Sequence, residues 1–115
     1  MSYRADYLPV EPARTAVDAL AGPVVLEFGA PWCGHCRAAQ PAIRAWLDDA
    51  SDVTHLKVED GKGRPLGRTF DVRLWPTLVV LADGQERARV VRPTAASDLD
   101  ELRQALDATA SHGTR

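Results

Sequence analysis

Trp32-Cys33-Gly34-His35-Cys36 lies at the junction of two different hydrophobic periodicities, and no other stretch constrains the fold as much. Before it runs Val24-Val25-Leu26-Glu27-Phe28, a short, nearly continuous apolar run rich in β-formers. Such a run reads as a strand buried on both faces. After it, from Gly34 to about Asp49, Cys36, Ala39, Ile43, Trp46, Leu47 and Ala50 share one helical stripe. The chain must therefore turn from strand to helix at Cys33 and Cys36, which are its only cysteines. A disulfide between them would close a very small loop, the kind that stabilises least. The pair is better explained by reactivity than by stapling.

The remaining pattern completes an alternating α/β chain. Val10, Ala13, Val17 and Leu20 recur at helical spacing, with Pro12 suited to a first turn and Gly22-Pro23 as a stop, which predicts a helix near 11–20. Pro41 falls inside the long helix and should kink it. Val53 to Val58 reads as a second strand, Asp60 to Arg64 as a mobile polar loop, and Pro65 as the opening of a short helix carrying Leu66 and Phe70. Thr77 to Leu81 reads as a third strand, Asp83-Gly84 as a hairpin turn, and Gln85 to Val91 as the partner strand. Ser97 is placed to cap a last helix with Leu99, Leu102 and Leu106 inward, and residues 110–115 read as a frayed tail. Helices alternating with strands, then a hairpin, predict a mixed sheet with helices on both faces.

Size and charge exclude several classes. A chain of 115 residues suits a single domain, residues 1–115, with 1–9 as an N-terminal extension. Its net charge of −2, with signs interspersed, offers no basic face for nucleic acid. No apolar run approaches membrane-spanning length, and the first residues lack an apolar h-region or cleavage site, so a cytoplasmic monomer is expected. In a reducing cytosol a C-x-x-C pair is catalytic, redox-sensing or metal-binding. Zinc would need four ligands, and only His35, His55 and His112 join the cysteines as obvious donors. No metal or other cofactor is expected beyond the Cys33–Cys36 disulfide itself.

Four features, in order and at compatible spacing, resemble the thioredoxin family over about residues 10–109. Phe28 to Arg37 is similar to its active-site segment. Pro41 stands where the family kinks its long helix. Trp75-Pro76-Thr77 resembles its cis-proline segment, and Glu27 occupies the place of its buried acid. Departures accompany the match. Gly-His between the cysteines, and glutamate at 27, are similar to protein disulfide isomerase domains. Gly29 stands where many thioredoxins have tryptophan, Arg92 stands near a groove glycine, and Trp75 replaces an aliphatic residue.

The resemblance implies a thioredoxin fold and a thiol-disulfide oxidoreductase acting on protein disulfides. Cys33, at a helix N-terminus, is expected to attack as thiolate, and the deeper Cys36 to resolve the mixed disulfide. His35 is placed to tune the couple through hydrogen bonding or charge. Glu27, on the same strand face as Val25, is expected to be desolvated, to titrate higher than usual and to accept the Cys36 proton. His55, where the family often places a lysine, is a possible partner for it. A cis Trp75-Pro76 bond would turn the Trp75 backbone toward the sulfurs, so Trp32, Trp75, Pro76 and Thr77 are the candidate substrate-binding residues. Reduction is the expected direction, with thioredoxin reductase or glutathione as electron source. The alternatives are oxidation or isomerisation, or a binding adaptor that uses the thiols little.

Overall fold

The computed structural model describes the backbone of residues 1–113 and the side chains of residues 1–109. Its elements are α1 (Arg14–Asp18), β1 (Pro23–Gly29), α2 (Gly34–Asp49), β2 (Thr54–Glu59), α3 (Leu66–Thr69), β3 (Thr77–Ala82), β4 (Gln85–Val91) and α4 (Asp100–Gly113), the last preceded by a 3-10 turn at Ala96–Leu99. The strands form one mixed sheet in the order β2-β1-β3-β4. β1 pairs parallel with β2 and antiparallel with β3, and β3 pairs antiparallel with β4.

Burial of β1 follows from helices on both sheet faces. Val24, Leu26 and Phe28 pack with Val17, Leu66, Phe70, Val79 and Leu81 on one face. Val25 packs with Ile43, Trp46, Leu47, Leu78, Leu99 and Leu102 on the other. The α2 stripe is therefore the inner wall of that second face, and Trp46 is core. At the β3–β4 hairpin Asp83 and Gly84 both have positive φ, 49° and 80°, as a type I′ turn requires.

Several local expectations need correction. α1 is only five residues long and starts after Pro12, because Ala13 is extended with ψ of 149°. Of its proposed stripe only Val17 is buried, and Val10 is 77% exposed. The 60–64 loop is anchored rather than mobile: Asp60 N–H donates to Gly29 O at 2.8 Å, and Gly61 bridges Arg64. The helix α4 continues through residues 110–113, where a frayed tail was expected, and residues 114–115 lie outside the described residues.

Ser97 does not cap the last helix. Asp98 serves that turn instead: its Oδ2 accepts from Thr94 N at 2.9 Å, Ala95 N at 3.0 Å and Thr94 Oγ1 at 3.2 Å. A carboxylate meets two orphan N–H groups where a serine would meet one, and it also suits the helix dipole. The backbone N–H groups of Ala95 and Thr94 hold its carboxyl below the usual aspartate range. A depressed folded-state value gives stability that is present above the unfolded value and lost as pH falls below about 4. Asp98→Ala should therefore lower the urea midpoint at pH 7 and matter less at pH 3, while Ser97→Ala should leave both midpoints unchanged.

Candidate active site

β1 ends at Gly29, and Cys33 N–H donates to Ala30 O at 3.1 Å, closing the turn that leads into α2. Cys33 is the N-cap of α2: its backbone is extended, with φ −79° and ψ 119°, and its Sγ accepts the Cys36 N–H at 3.3 Å. A sulfur here does what serine or aspartate oxygen does at other helix starts, answering an orphan donor. Both cysteines are free thiols, Cys33 8% and Cys36 2% exposed.

The environment drives the two sulfurs apart. Burial opposes ionisation of Cys33. It is outweighed by hydrogen bonds from the Cys36 thiol and from the Cys36 and His35 backbone N–H groups, with help from the Arg92 charge, so the Cys33 thiol titrates below its ordinary value. Cys36 is pushed up to about 11 by burial, then by its hydrogen bond to Cys33 and by the Cys33 charge. His35 is brought to the pair, but through its backbone. Its imidazole is exposed, and among the described residues it makes no side-chain hydrogen bond to either sulfur.

Beneath the pair lies a buried polar cluster. Glu27 is fully buried, as strand alternation implied. Its Oε1 meets His55 Nε2 at 2.9 Å, its Oε2 accepts Gln40 Nε2 at 2.8 Å, and Lys57 Nζ lies 4.0 Å from Oε2. The Arg4 N–H donates to His55 Nδ1 at 2.8 Å, which leaves the ring proton on Nε2, donated to Glu27. Register puts Lys57, not His55, directly opposite Glu27, so His55 does not take a lysine's place; both residues serve the acid. Gln40 Nε2 also donates to Cys36 O at 2.8 Å, joining the carboxylate to the helix turn that carries Cys36.

The groove beside the sulfurs is built from a different loop. Trp75-Pro76 is a cis peptide bond, and Trp75 packs against Ala30, Cys33 and Cys36. Its indole Nε1 donates to Asp60 Oδ2 at 2.8 Å, and its ring meets the 68%-exposed Trp32 edge-on at 5.4 Å. Arg92 N–H donates to Pro76 O at 2.8 Å, and Arg92 Nε donates to Trp75 O at 2.9 Å. Arg92 holds a left-handed φ of 54°, the backbone shape that favours glycine. Thr77 does not face the groove. It is buried, and its hydroxyl donates to Leu74 O at 2.7 Å, supporting the turn.

Gln40, Lys57, Asp60 and Tyr7 were missed as site residues. Gln40 was findable, one helical turn after Cys36 on the same face; so was Lys57, two residues after His55 on the same strand face. Tyr7 carries no periodic signal. Its hydroxyl lies near the Cys36 sulfur: a Cβ at Gly29 would sit 2.5 Å from Cys36 Sγ and 3.0 Å from Tyr7 Oη.

Among the described residues no cluster of three or more His, Cys, Asp or Glu side chains could hold a metal ion. The arrangement can perform dithiol chemistry: a stabilised thiolate, a second thiol one turn deeper, and a buried carboxylate below.

Comparison with known proteins agrees with this chemistry. The family model described as Thioredoxin matches residues 11–108. A thioredoxin from Aspergillus fumigatus is 33% identical over 88 residues, 76% of this chain and 82% of that one. Thioredoxin 1 of Synechococcus elongatus is 34% identical over 84 residues, 69% and 78% of the two chains. Some relatives are longer: the match spans 58% of rice thioredoxin H2-1. The solved structure of thioredoxin 2 from Pseudomonas aeruginosa, in its reduced form, is 55% identical with a TM-score of 0.79, covering 90% of this chain and 96% of that one. The chain belongs to the thioredoxin family of protein-disulfide oxidoreductases.

Proposed function

We propose that this protein is a reductant of protein disulfides, and that Cys33 attacks while Cys36 resolves. One observation carries the order. Cys33 Sγ caps α2 and draws on its N–H donors, whereas Cys36 Sγ is buried a turn deeper. In the first step the Cys33 thiolate attacks a substrate S–S bond, forms a mixed disulfide and releases one substrate thiolate, which takes up a proton. In the second step Cys36 gives its proton toward Glu27 and attacks Cys33 Sγ. The Cys33–Cys36 bond forms, the Cys33–substrate bond breaks, and the second substrate sulfur leaves as a thiolate, which takes up a proton. Two electrons have passed to the substrate, and a thioredoxin reductase or glutathione returns them. Trp32, Trp75 and Pro76 form the surface against which the substrate segment lies, and the working compartment is the cytoplasm.

The named relatives favour this direction. A second reading, oxidation or isomerisation, is favoured by His35 between the cysteines and by glutamate at position 27. The reduction potential separates them. Equilibration with dithiol buffers should place the Cys33–Cys36 couple near the thioredoxin value of about −270 mV; a value near the isomerase range of about −180 mV would overturn the reductant reading.

The order of the thiols has its own test. Cys33→Ser should abolish reduction of insulin disulfides. Cys36→Ser should accumulate reductant-sensitive mixed disulfides through Cys33. Capture of partners by Cys36→Ser that survives reductant would instead support an adaptor.

Arg92 bears on the first step only. Arg92→Gln removes a cation beside Cys33, and a thiolate without that cation forms less readily. The pH profile of Cys33 alkylation should move upward. The movement should be under about one pH unit, and smaller in high salt, because Arg92 is solvent-exposed.

A further inference from the structure

Residues 1–9 were expected only to extend the chain, yet they run as a strap along the edge strand β2 and across the polar cluster. Ser2 N–H donates to Leu47 O at 2.9 Å, and Leu8 N–H donates to Lys57 O at 2.8 Å. Between them Tyr3 Oη donates to Gln40 Oε1 at 2.7 Å, and Lys57 Nζ donates to Ala5 O at 2.8 Å. These bonds fix the register of the strap, and the register delivers Tyr7 to the back of the dithiol. The Tyr7 ring sits 4.9 Å from Lys57 Nζ, and its hydroxyl reaches over Gly29 toward Cys36. Tyr7, Cys36, Gln40 and Lys57 share the wall of one cleft of about 290 Å³.

Gly29 is the complement of this contact. A Cβ at position 29 would lie 2.5 Å from Cys36 Sγ and 3.0 Å from Tyr7 Oη, so any side chain there would displace the sulfur, the phenol or both. The space that a side chain at 29 would take is used by the phenol arriving from the strap. Burial first, then the Cys36 and Glu27 charges, raise the Tyr7 phenol well above its ordinary value. The phenol thus stays protonated throughout, and toward a sulfur anion it can only donate.

We propose that Tyr7 is a positioning residue for the resolving step: its hydroxyl, carried by the N-terminal strap over Gly29, donates a hydrogen bond to Cys36 Sγ as that sulfur becomes the attacking thiolate. The inference rests on the reading of Cys36 as resolver. Tyr7 exchanges no electrons and keeps its proton. The Cys36 proton leaves by the acceptor already described, and Tyr7 stabilises the anion left behind.

A chromogenic aryl disulfide tests this in the intact chain. The first aryl thiolate released reports attack by Cys33, and the second reports resolution by Cys36. Tyr7→Phe keeps the ring over Lys57 and removes only the hydroxyl. The other groups facing the thiol stay in place: Cys33 at the N-cap of α2, Arg37 and Gln40 from α2, Lys57 from β2, and Asp6 from the strap, with Glu27 of β1 behind Gln40. The second phase should slow about tenfold at pH 7, the first should not change, and the deficit should close as rising pH ionises Cys36 without the help of a donor. A second phase with unchanged rate and pH profile overturns the inference, as does equal slowing of both phases, which would mean that the hydroxyl supports the whole site rather than the resolving sulfur. Two phases from Cys36→Ser would overturn the ordered pair itself, and this inference with it.

Discussion

The hydrogen bond from Cys36 N–H to Cys33 Sγ is the contact on which the site depends. It makes a cysteine the N-cap of a 16-residue helix, so the sulfur lies at the positive end of the helix dipole and answers one of its orphan donors. The N-cap is one position, and the residue in it meets the donors of the first turn. Cys33 takes this place, and Cys36, inside the first turn, is governed first by burial. The asymmetry of two chemically identical side chains thus follows from their positions along one helix.

That helix must be held at a fixed angle to β1, and the cores on the two faces of the sheet do this. Ile43, Trp46 and Leu47 bind α2 to Val25 and Leu78, while Leu26 and Phe28 anchor β1 from the opposite face. Burying a carboxylate within such a core costs several kcal/mol unless it is paired and hydrogen-bonded. Glu27 is tolerated because His55, Gln40 and Lys57 surround it, and those partners are themselves satisfied by Arg4 N–H, Tyr3 Oη and Ala5 O. The N-terminal strap therefore completes the hydrogen bonding of the cluster. Among the described residues no buried side-chain polar atom lacks a partner.

What could be read in the sequence was what repeats. The continuous apolar run marked β1 as buried on both faces, alternation put Glu27 on the face of Val25, and the 3.6-residue stripe marked Cys36, Ile43 and Trp46 as one buried face. What could not be read depends on contacts between distant segments. Tyr7 reaches Cys36 across 29 residues of chain, and nothing periodic connects them. Arg92 was visible as a departure from the family pattern, but its hold on the Trp75 carbonyl depends on a loop conformation that only the folded backbone defines. Thr77 illustrates the opposite error. Its place in the segment that resembles the cis-proline motif suggested a ligand contact, whereas β3 is buried on both faces and the Thr77 hydroxyl is spent on Leu74 O. Asp98 shows that choosing among neighbouring polar residues at a helix start requires the backbone geometry itself.

On the proposed mechanism, the coupling of the two sulfurs would order the chemistry in time. Besides burial, Cys36 is held protonated by its hydrogen bond to Cys33 and by the Cys33 charge. The charge exists only while Cys33 is a thiolate, and the hydrogen bond is strongest then. Once Cys33 is joined to a substrate sulfur its charge is gone, and it is a far weaker partner for the Cys36 proton. The first step thereby removes one of the reasons why Cys36 resists ionising and weakens another, and burial remains to be overcome. On the proposed mechanism, donors aimed at the Cys36 sulfur would matter most at that moment. In that order of events the reduced protein would present one reactive sulfur, and the mixed disulfide would activate the other.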